Sequence, residues 1–166
     1  MKELIKTKNF ALILSHQGPD GDSIGSSVSL SLYLDKIGIK NCIIFPDVFP
    51  SFYSSINGIE NAIIASENLL KVESLFEKSD LIFCLDFNHR SRLGSDLKLI
   101  FTKAIDKYVF VIDHHTNPEN FGDVEIIDIN ASSTCELIFN FIESNNDVNL
   151  IDIPIAEAIY TGLVTD

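Results

Sequence analysis

Basic residues are scarce in this 166-residue chain: 12 lysines and arginines stand against 24 aspartates and glutamates, a formal net charge of −12. A duplex-binding surface needs many cations to displace counterions, so this balance excludes a large basic face and a grip on long nucleic acid. Cysteine is scarcer still. Cys42, Cys84 and Cys135 are far apart, odd in number and form no CxxC pair, which excludes the pattern of a zinc ribbon or a disulfide framework. Cys42 and Cys84 sit in the apolar runs NCIIF and LIFCLD, as buried reduced thiols of a cytoplasmic protein do. Long hydrophobic runs are missing as well. The stretch FALIL near the N-terminus is too short for a membrane span, is broken by Ser15 and His16, and has no small-residue cleavage site after it. It reads as the first strand of a cytoplasmic protein with no membrane partner. Tryptophan is absent, which excludes nothing, and there are neither repeats nor low-complexity tracts.

What is present is an ordinary globular balance, 46% hydrophobic and 22% charged. A domain of roughly 150 residues buries about 70% of its unfolded surface, enough for a core without staples. Five segments read as strands: 10–15, 41–45, 81–86, 108–113 and 124–129. Most are continuously apolar and rich in Ile, Val and Phe, the pattern of strands covered on both faces. Helical patterns fall at 23–37, 69–78, 95–105, 133–143 and 154–164, the first stopped by Gly38 and the last opened by Pro154. Alternation of this kind predicts an α/β fold: a three-layer sandwich with a mostly parallel five-stranded sheet, right-handed crossovers and helices on both faces.

In such sheets ligands bind beyond the carboxyl ends of the strands. Strand 10–15 ends at Ser15-His16, strand 81–86 at Asp86, and strand 108–113 at Asp113-His114-His115. Four segments therefore carry the chemistry: SHQGPDGDSIGSS (15–27), CLDFNHRSRLG (84–94), IDHHTNPE (112–119) and GLVTD (162–166). Each residue has a plain structural explanation taken alone. Asp20 and Asp22 suit a turn and a helix cap, Asp86 a strand-end cap, His114 and His115 a core histidine and its exposed neighbour, and Asp166 a solvated helix end. Jointly these explanations fare poorly, because three of the four histidines would meet several aspartates on one sheet rim by accident. Packed carboxylates repel and take up protons unless cations neutralise them. A carboxylate and imidazole set without thiolate suits Mn²⁺ or a similar ion better than structural zinc. The segments themselves go as far as a metal site.

The four segments, in this order, resemble the motifs of the DHH phosphoesterase superfamily: H-x-x-x-D-x-D before a helix in SHQGPDGDSIGS, then LDFN, DHH and GLVTD. The resemblance spans essentially all 166 residues. With ASSTCE (131–136) and LDFNHRSRLG, it is nearest the branch that hydrolyses short oligoribonucleotides and dephosphorylates 3′-phosphoadenosine 5′-phosphate. RecJ-like exonucleases, cyclic-dinucleotide phosphodiesterases and family II inorganic pyrophosphatases are relatives within the superfamily. The resemblance implies two divalent ions, Mn²⁺ first and Mg²⁺ or Co²⁺ as alternatives. His16 and Asp20 would hold one, Asp22, His114 and Asp166 the other, and Asp86 would bridge them. A metal-activated hydroxide would attack phosphorus in line. His115 would face the substrate, and Asp113 would orient a histidine ring through its free nitrogen. Arg92 is a candidate phosphate contact, since guanidinium forks match phosphate oxygens, and it reads equally as a surface arginine. ASSTCE reads first as a helix cap, and its free amides are a second candidate phosphate contact.

The family's second lobe carries a GGGH-like substrate-binding motif, and nothing like it occurs here. The expectation is that residues 1–166 are the N-terminal catalytic lobe of a longer protein, able to bind metal yet weak in hydrolysis without substrate positioning. The implied partner is a small nucleotide or short single-stranded RNA, and a homodimer is compatible. Competing readings are a pyrophosphatase or cyclic-dinucleotide phosphodiesterase of the same superfamily, or a non-catalytic nucleotide- or partner-binding module. The last is disfavoured because every expected ligand position is filled. A dinucleotide-binding role fails on charge, since Asp20 and Asp22 would repel a pyrophosphate.

Overall fold

The computed structural model describes residues 1–104 and 106–166. After a short helix, α1 (Lys2–Ile5), the chain runs β1 (Phe10–Leu14), α2 (Gly21–Lys36), β2 (Lys40–Phe45), β3 (Ile63–Ile64), α3 (Leu69–Lys78) and β4 (Leu81–Leu85). It continues through α4 (Ser95–Lys103), β5 (Tyr108–Asp113), β6 (Val124–Ile127), α5 (Thr134–Ser144) and α6 (Ile153–Thr165). All strand pairings are parallel, in the order β3-β2-β1-β4-β5-β6. The α/β sandwich expected from the sequence is therefore present, with one strand more than the five read there. The additional strand, β3, is a two-residue edge pairing Ile63 and Ile64 with Ile44 and Phe45, too short to leave a periodic signature. The expected helix at 95–105 is observed as Ser95–Lys103, and Ile105 lies outside the described residues.

Strand periodicity of two sorts the core into two layers. Ala11, Ile13, Phe83, Leu85, Phe110 and Ile112 face α2, α5 and α6, whereas Leu12, Leu14, Ile82, Cys84, Val109 and Val111 face α3 and α4. Every residue of β4 is fully buried, which explains its unbroken apolar run. Each such side chain contributes about 1.5–3 kcal/mol by leaving water.

Two features of this frame position the rim. First, β2 lies on one side of β1 and β4 on the other. The winding reverses between β1 and β4, opening a crevice beyond their carboxyl ends. Second, α2 and α6 approach closely through glycines. A Cβ at Gly25 would strike the Ala158 carbonyl, and one at Gly162 would strike Cys135 Sγ and lie 2.7 Å from Asp22 Oδ1. The polar residues of α2 survive burial because Ser26, Ser27 and Ser29 donate their hydroxyls to carbonyls three or four residues back.

Candidate metal centre

The crevice between β1 and β4 is where the polar segments meet. His16, two residues past β1, places Nε2 3.3 Å from Asp86 Oδ2, just past β4, and 3.7 Å from Asp20 Oδ2. His114, following β5, places Nε2 3.7 Å from Asp86 Oδ1, 3.8 Å from Asp22 Oδ2 and 3.7 Å from Asp166 Oδ2. Two groups with donor atoms spaced for a cation result, His16–Asp20–Asp86 and Asp22–His114–Asp166. Asp86 reaches both, one oxygen toward each histidine. A third grouping joins Asp86, His114 and His115, but the His115 Nδ1 that lies 3.8 Å from Asp86 is already hydrogen-bonded to Asp113 at 2.8 Å.

Local structure explains each placement. Asp20 is the N-cap of α2. Its Oδ1 accepts from the Ser23 amide and the Ser23 hydroxyl accepts from the Asp20 amide, leaving Oδ2 for the crevice. This cap starts the helix at Gly21, two residues earlier than the apolar pattern places it. Capping and cation binding are thus compatible in one carboxylate. Asp86 adopts φ +64°, a left-handed conformation that costs about 1 kcal/mol or more outside glycine. The turn is held in place because Thr134 Oγ1 donates to Asp86 Oδ1 (2.9 Å) and the Asp86 amide donates to the Ile112 carbonyl (3.1 Å).

The tautomers of both candidate histidine ligands follow from backbone carbonyls. His16 Nδ1 faces the Gln17 carbonyl at 2.8 Å and His114 Nδ1 faces that of Ala131 at 3.3 Å. A carbonyl only accepts, so Nδ1 carries the proton of the neutral ring and Nε2 presents its lone pair to the carboxylates. His114 Nε2 is buried with no hydrogen-bond partner. A buried imidazole nitrogen facing three carboxylate oxygens, with no hydrogen-bond partner of its own, fits a cation better than any arrangement of protein protons. The residues present fit a divalent ion.

Electrostatics point the same way. Burial, and then the charge of Asp86, push the Asp22 carboxyl up to about 6, although the amides of Cys135 and Thr134 donate to it. Burial works against the charged form of His16, but hydrogen bonding to Asp86 and the Gln17 carbonyl outweighs it and raises the pKa. For Asp86 burial is likewise outweighed, here by His16 and Thr134, and the carboxyl is held below its usual value. His115 is raised: burial opposes its charge, the Asp113 hydrogen bond overrides burial, and the nearby Arg92 pulls the other way.

His16, Asp20, Asp22, Asp86, His114 and Asp166, all singled out in the sequence, converge in this crevice. Asp113 lies beneath His115, fully buried, with one oxygen on the ring and the other unpartnered. Arg92 is exposed and within electrostatic reach of His115. ASSTCE does cap its helix: Ser133 accepts from the Glu136 amide, and Glu136 accepts from Ser132. Its Thr134 and Cys135 amides, the second candidate phosphate contact, are already committed to Asp22 at 2.6 and 2.9 Å. The sequence did not reveal the Thr134 hydroxyl on Asp86 or the lack of room for a side chain at Gly162 beside Asp22, because both relations cross the chain and leave no local pattern. A cavity of about 470 Å³ between Phe76 of α3 and Ile100 of α4 shares none of these residues.

The fold and crevice define a parallel α/β domain with a mixed carboxylate and imidazole centre at its switch point. Residues 11–163 match the DHH family, N-terminal domain, and the chain belongs to that family. Among curated relatives, the cyclic-di-AMP phosphodiesterase PdeA of Listeria monocytogenes is 27% identical, the match covering 100% of this chain and 26% of that protein. The bifunctional oligoribonuclease and PAP phosphatase NrnA of Bacillus subtilis is also 27% identical, over 99% of this chain and 49% of that protein. The crystal structure of an exopolyphosphatase-related protein from Bacteroides fragilis superposes with a TM-score of 0.94 at 32% identity, covering 98% of this chain and 47% of that one. The chain thus spans half or less of the length of these relatives. No helix among the described residues is long and apolar enough to cross a membrane.

Proposed function

We propose that the chain is the catalytic lobe of a longer, two-lobed, cytoplasmic phosphoesterase that hydrolyses short oligoribonucleotides or 3′-phosphoadenosine 5′-phosphate with two divalent ions, Mn²⁺ in first place. The observation that carries this reading is His114 Nε2, buried without a hydrogen-bond partner and 3.7–3.8 Å from carboxylate oxygens of Asp22, Asp86 and Asp166. His16, Asp20 and Asp86 would hold one ion, and Asp22, His114 and Asp166 the other, with Asp86 shared. Such ions, when bound, supply Lewis acidity toward phosphoryl oxygens and lower the pKa of water.

The chain's own residues do the rest. Asp113 fixes the His115 ring through Nδ1 and favours its protonated form, leaving Nε2 to donate to a phosphate or leaving oxygen. Arg92, beside it, offers a guanidinium fork to the same phosphate. Thr134 holds Asp86 in its left-handed turn, and the amides of Thr134 and Cys135 orient Asp22. Names of relatives support the nucleotide substrates, NrnA foremost.

The test is calorimetric titration of Mn²⁺ into the metal-free protein and into Asp86→Ala, with hydrolysis of 3′-phosphoadenosine 5′-phosphate and a diribonucleotide followed on the same samples. Two sites in the wild type, both lost in the folded variant, are expected. A folded wild type that binds no metal overturns the reading. A cyclic-dinucleotide substrate is the second reading, favoured by the equal identity to PdeA. A kcat/KM higher for cyclic di-AMP than for the linear dinucleotide would select it.

A further inference from the structure

An exposed aromatic ring that the metal centre does not use lies on a segment packed against the start of α2. The segment between β2 and β3 leaves the sheet at the same edge as the site and forms a short 3₁₀ turn, Ser51–Ser55. Phe52 in this turn is 69% exposed, flanked by exposed Val48 and Pro50. Its ring rests on Tyr53, centroids 4.3 Å apart. Tyr53 is buried, and its hydroxyl reaches the start of α2: a Cβ at Gly21 would lie 2.7 Å from it and would strike Thr165 Oγ1. Gly21 stands between Asp20 and Asp22, and Thr165 adjoins Asp166. The ring beneath Phe52 is thus wedged against the segments that carry three of the candidate ligands.

The segment is also anchored. Asp47 accepts from the Gly18 amide at 3.3 Å, Phe49 packs edge-on to Phe45 at 5.3 Å, and Gly58 lies against Val28 and Leu32. An exposed aromatic face on a fixed support beside a cation site is the pairing that single-stranded nucleotides use, phosphate to the cations and base to the ring. The acidic surroundings, Asp20 and Asp47 among them, repel a phosphate at this lip but not the uncharged face of a base.

We infer that Phe52 is a stacking platform for a nucleobase of the substrate whose phosphate enters the metal centre. Phe52 is a positioning residue and takes no part in bond cleavage. The inference rests on the nucleotide-hydrolase reading, and the experiment separates the two. Residues 1–166 have no tryptophan, so Phe52→Trp, made in the full-length protein with any tryptophan outside these residues replaced by phenylalanine, places a sole tryptophan on the platform while keeping an aromatic face. With Mg²⁺ present, a diadenylate should quench this fluorescence saturably, and an abasic dinucleotide of the same charge should not. In parallel, Phe52→Ala should raise KM for diadenylate roughly tenfold, within the range typical of base stacking, with kcat nearly kept and abasic hydrolysis unchanged. Quenching without hydrolysis would support the platform and count against the reaction. Hydrolysis with an unchanged KM in Phe52→Ala, or an unquenched Trp at that position, would overturn the platform and leave the reaction standing.

Discussion

Without metal, the centre should make the protein less stable as pH rises toward neutrality. The perturbation is removal of divalent ions by chelation followed by titration from pH 4 to 7.5. Asp22 is 1% exposed, and burial together with Asp86 moves its carboxyl from 3.8 to about 6. Between those two values the folded state binds more protons than the unfolded state, so stability falls as pH rises. That difference amounts to about 3 kcal/mol, lost in full by pH 7. His16, whose pKa is raised, adds stability that is present below 6.5 and is lost as pH passes its folded value, in the same direction. Asp86, whose pKa is lowered, binds protons only in the unfolded state near the ordinary value of 3.8, so at the acid end of this window it adds stability as pH rises and partly offsets Asp22. Urea unfolding at constant ionic strength measures the effect, and Asp22→Asn, compared pH by pH, isolates the Asp22 part. Divalent ion at a hundred times its dissociation constant should restore about 2.7 kcal/mol per site at neutral pH. Equal pH slopes in wild type and Asp22→Asn between pH 4 and 6 would refute the reasoning.

Three further perturbations follow from the packing, two of them around the site. Gly162→Ala drives a methyl group into Cys135 Sγ and Asp22 Oδ1; a loss of about 1–3 kcal/mol in thermal unfolding is expected, with weakened metal binding by calorimetry. Thr134→Val removes the hydroxyl bonded to Asp86; it should cost about 1–2 kcal/mol in urea and lower metal affinity by about 10–100-fold, and unchanged affinity would show that Thr134 does not hold Asp86. Remote from the site, Asp147 is held below its usual value, chiefly by Lys2 at 2.5 Å and also by the Tyr33 hydroxyl at 2.7 Å, pinning α1 to the α5–α6 connection. Asp147→Asn should lose about 1 kcal/mol at pH 7, a difference that disappears as pH falls through the folded carboxyl's value, with metal binding untouched.

Much of this protein is legible in its residues taken in order. Unbroken apolar strands such as Leu81–Leu85 announce a sheet covered on both faces, and the alternation with helices announces its parallel sense. Because all strands then end at one edge, polar residues at strand ends are bound to share a rim, and the metal-centre candidates could be named from that rule and the motif order. What the sequence did not carry was partnership across the fold. His16 and Asp86 are 70 positions apart and meet only because β1 and β4 are neighbours where the winding reverses. Thr134 reads as a cap residue until α5 packs its hydroxyl against Asp86, and Gly162 reads as an ordinary helical glycine until α6 presses on Asp22. Composition and periodicity are local quantities, and they determine elements and their faces. Which nitrogen of His114 is left bare, which carboxylate takes up a proton, and which aromatic ring stands beside the crevice depend on atoms brought together from distant segments, and tertiary packing alone decided them.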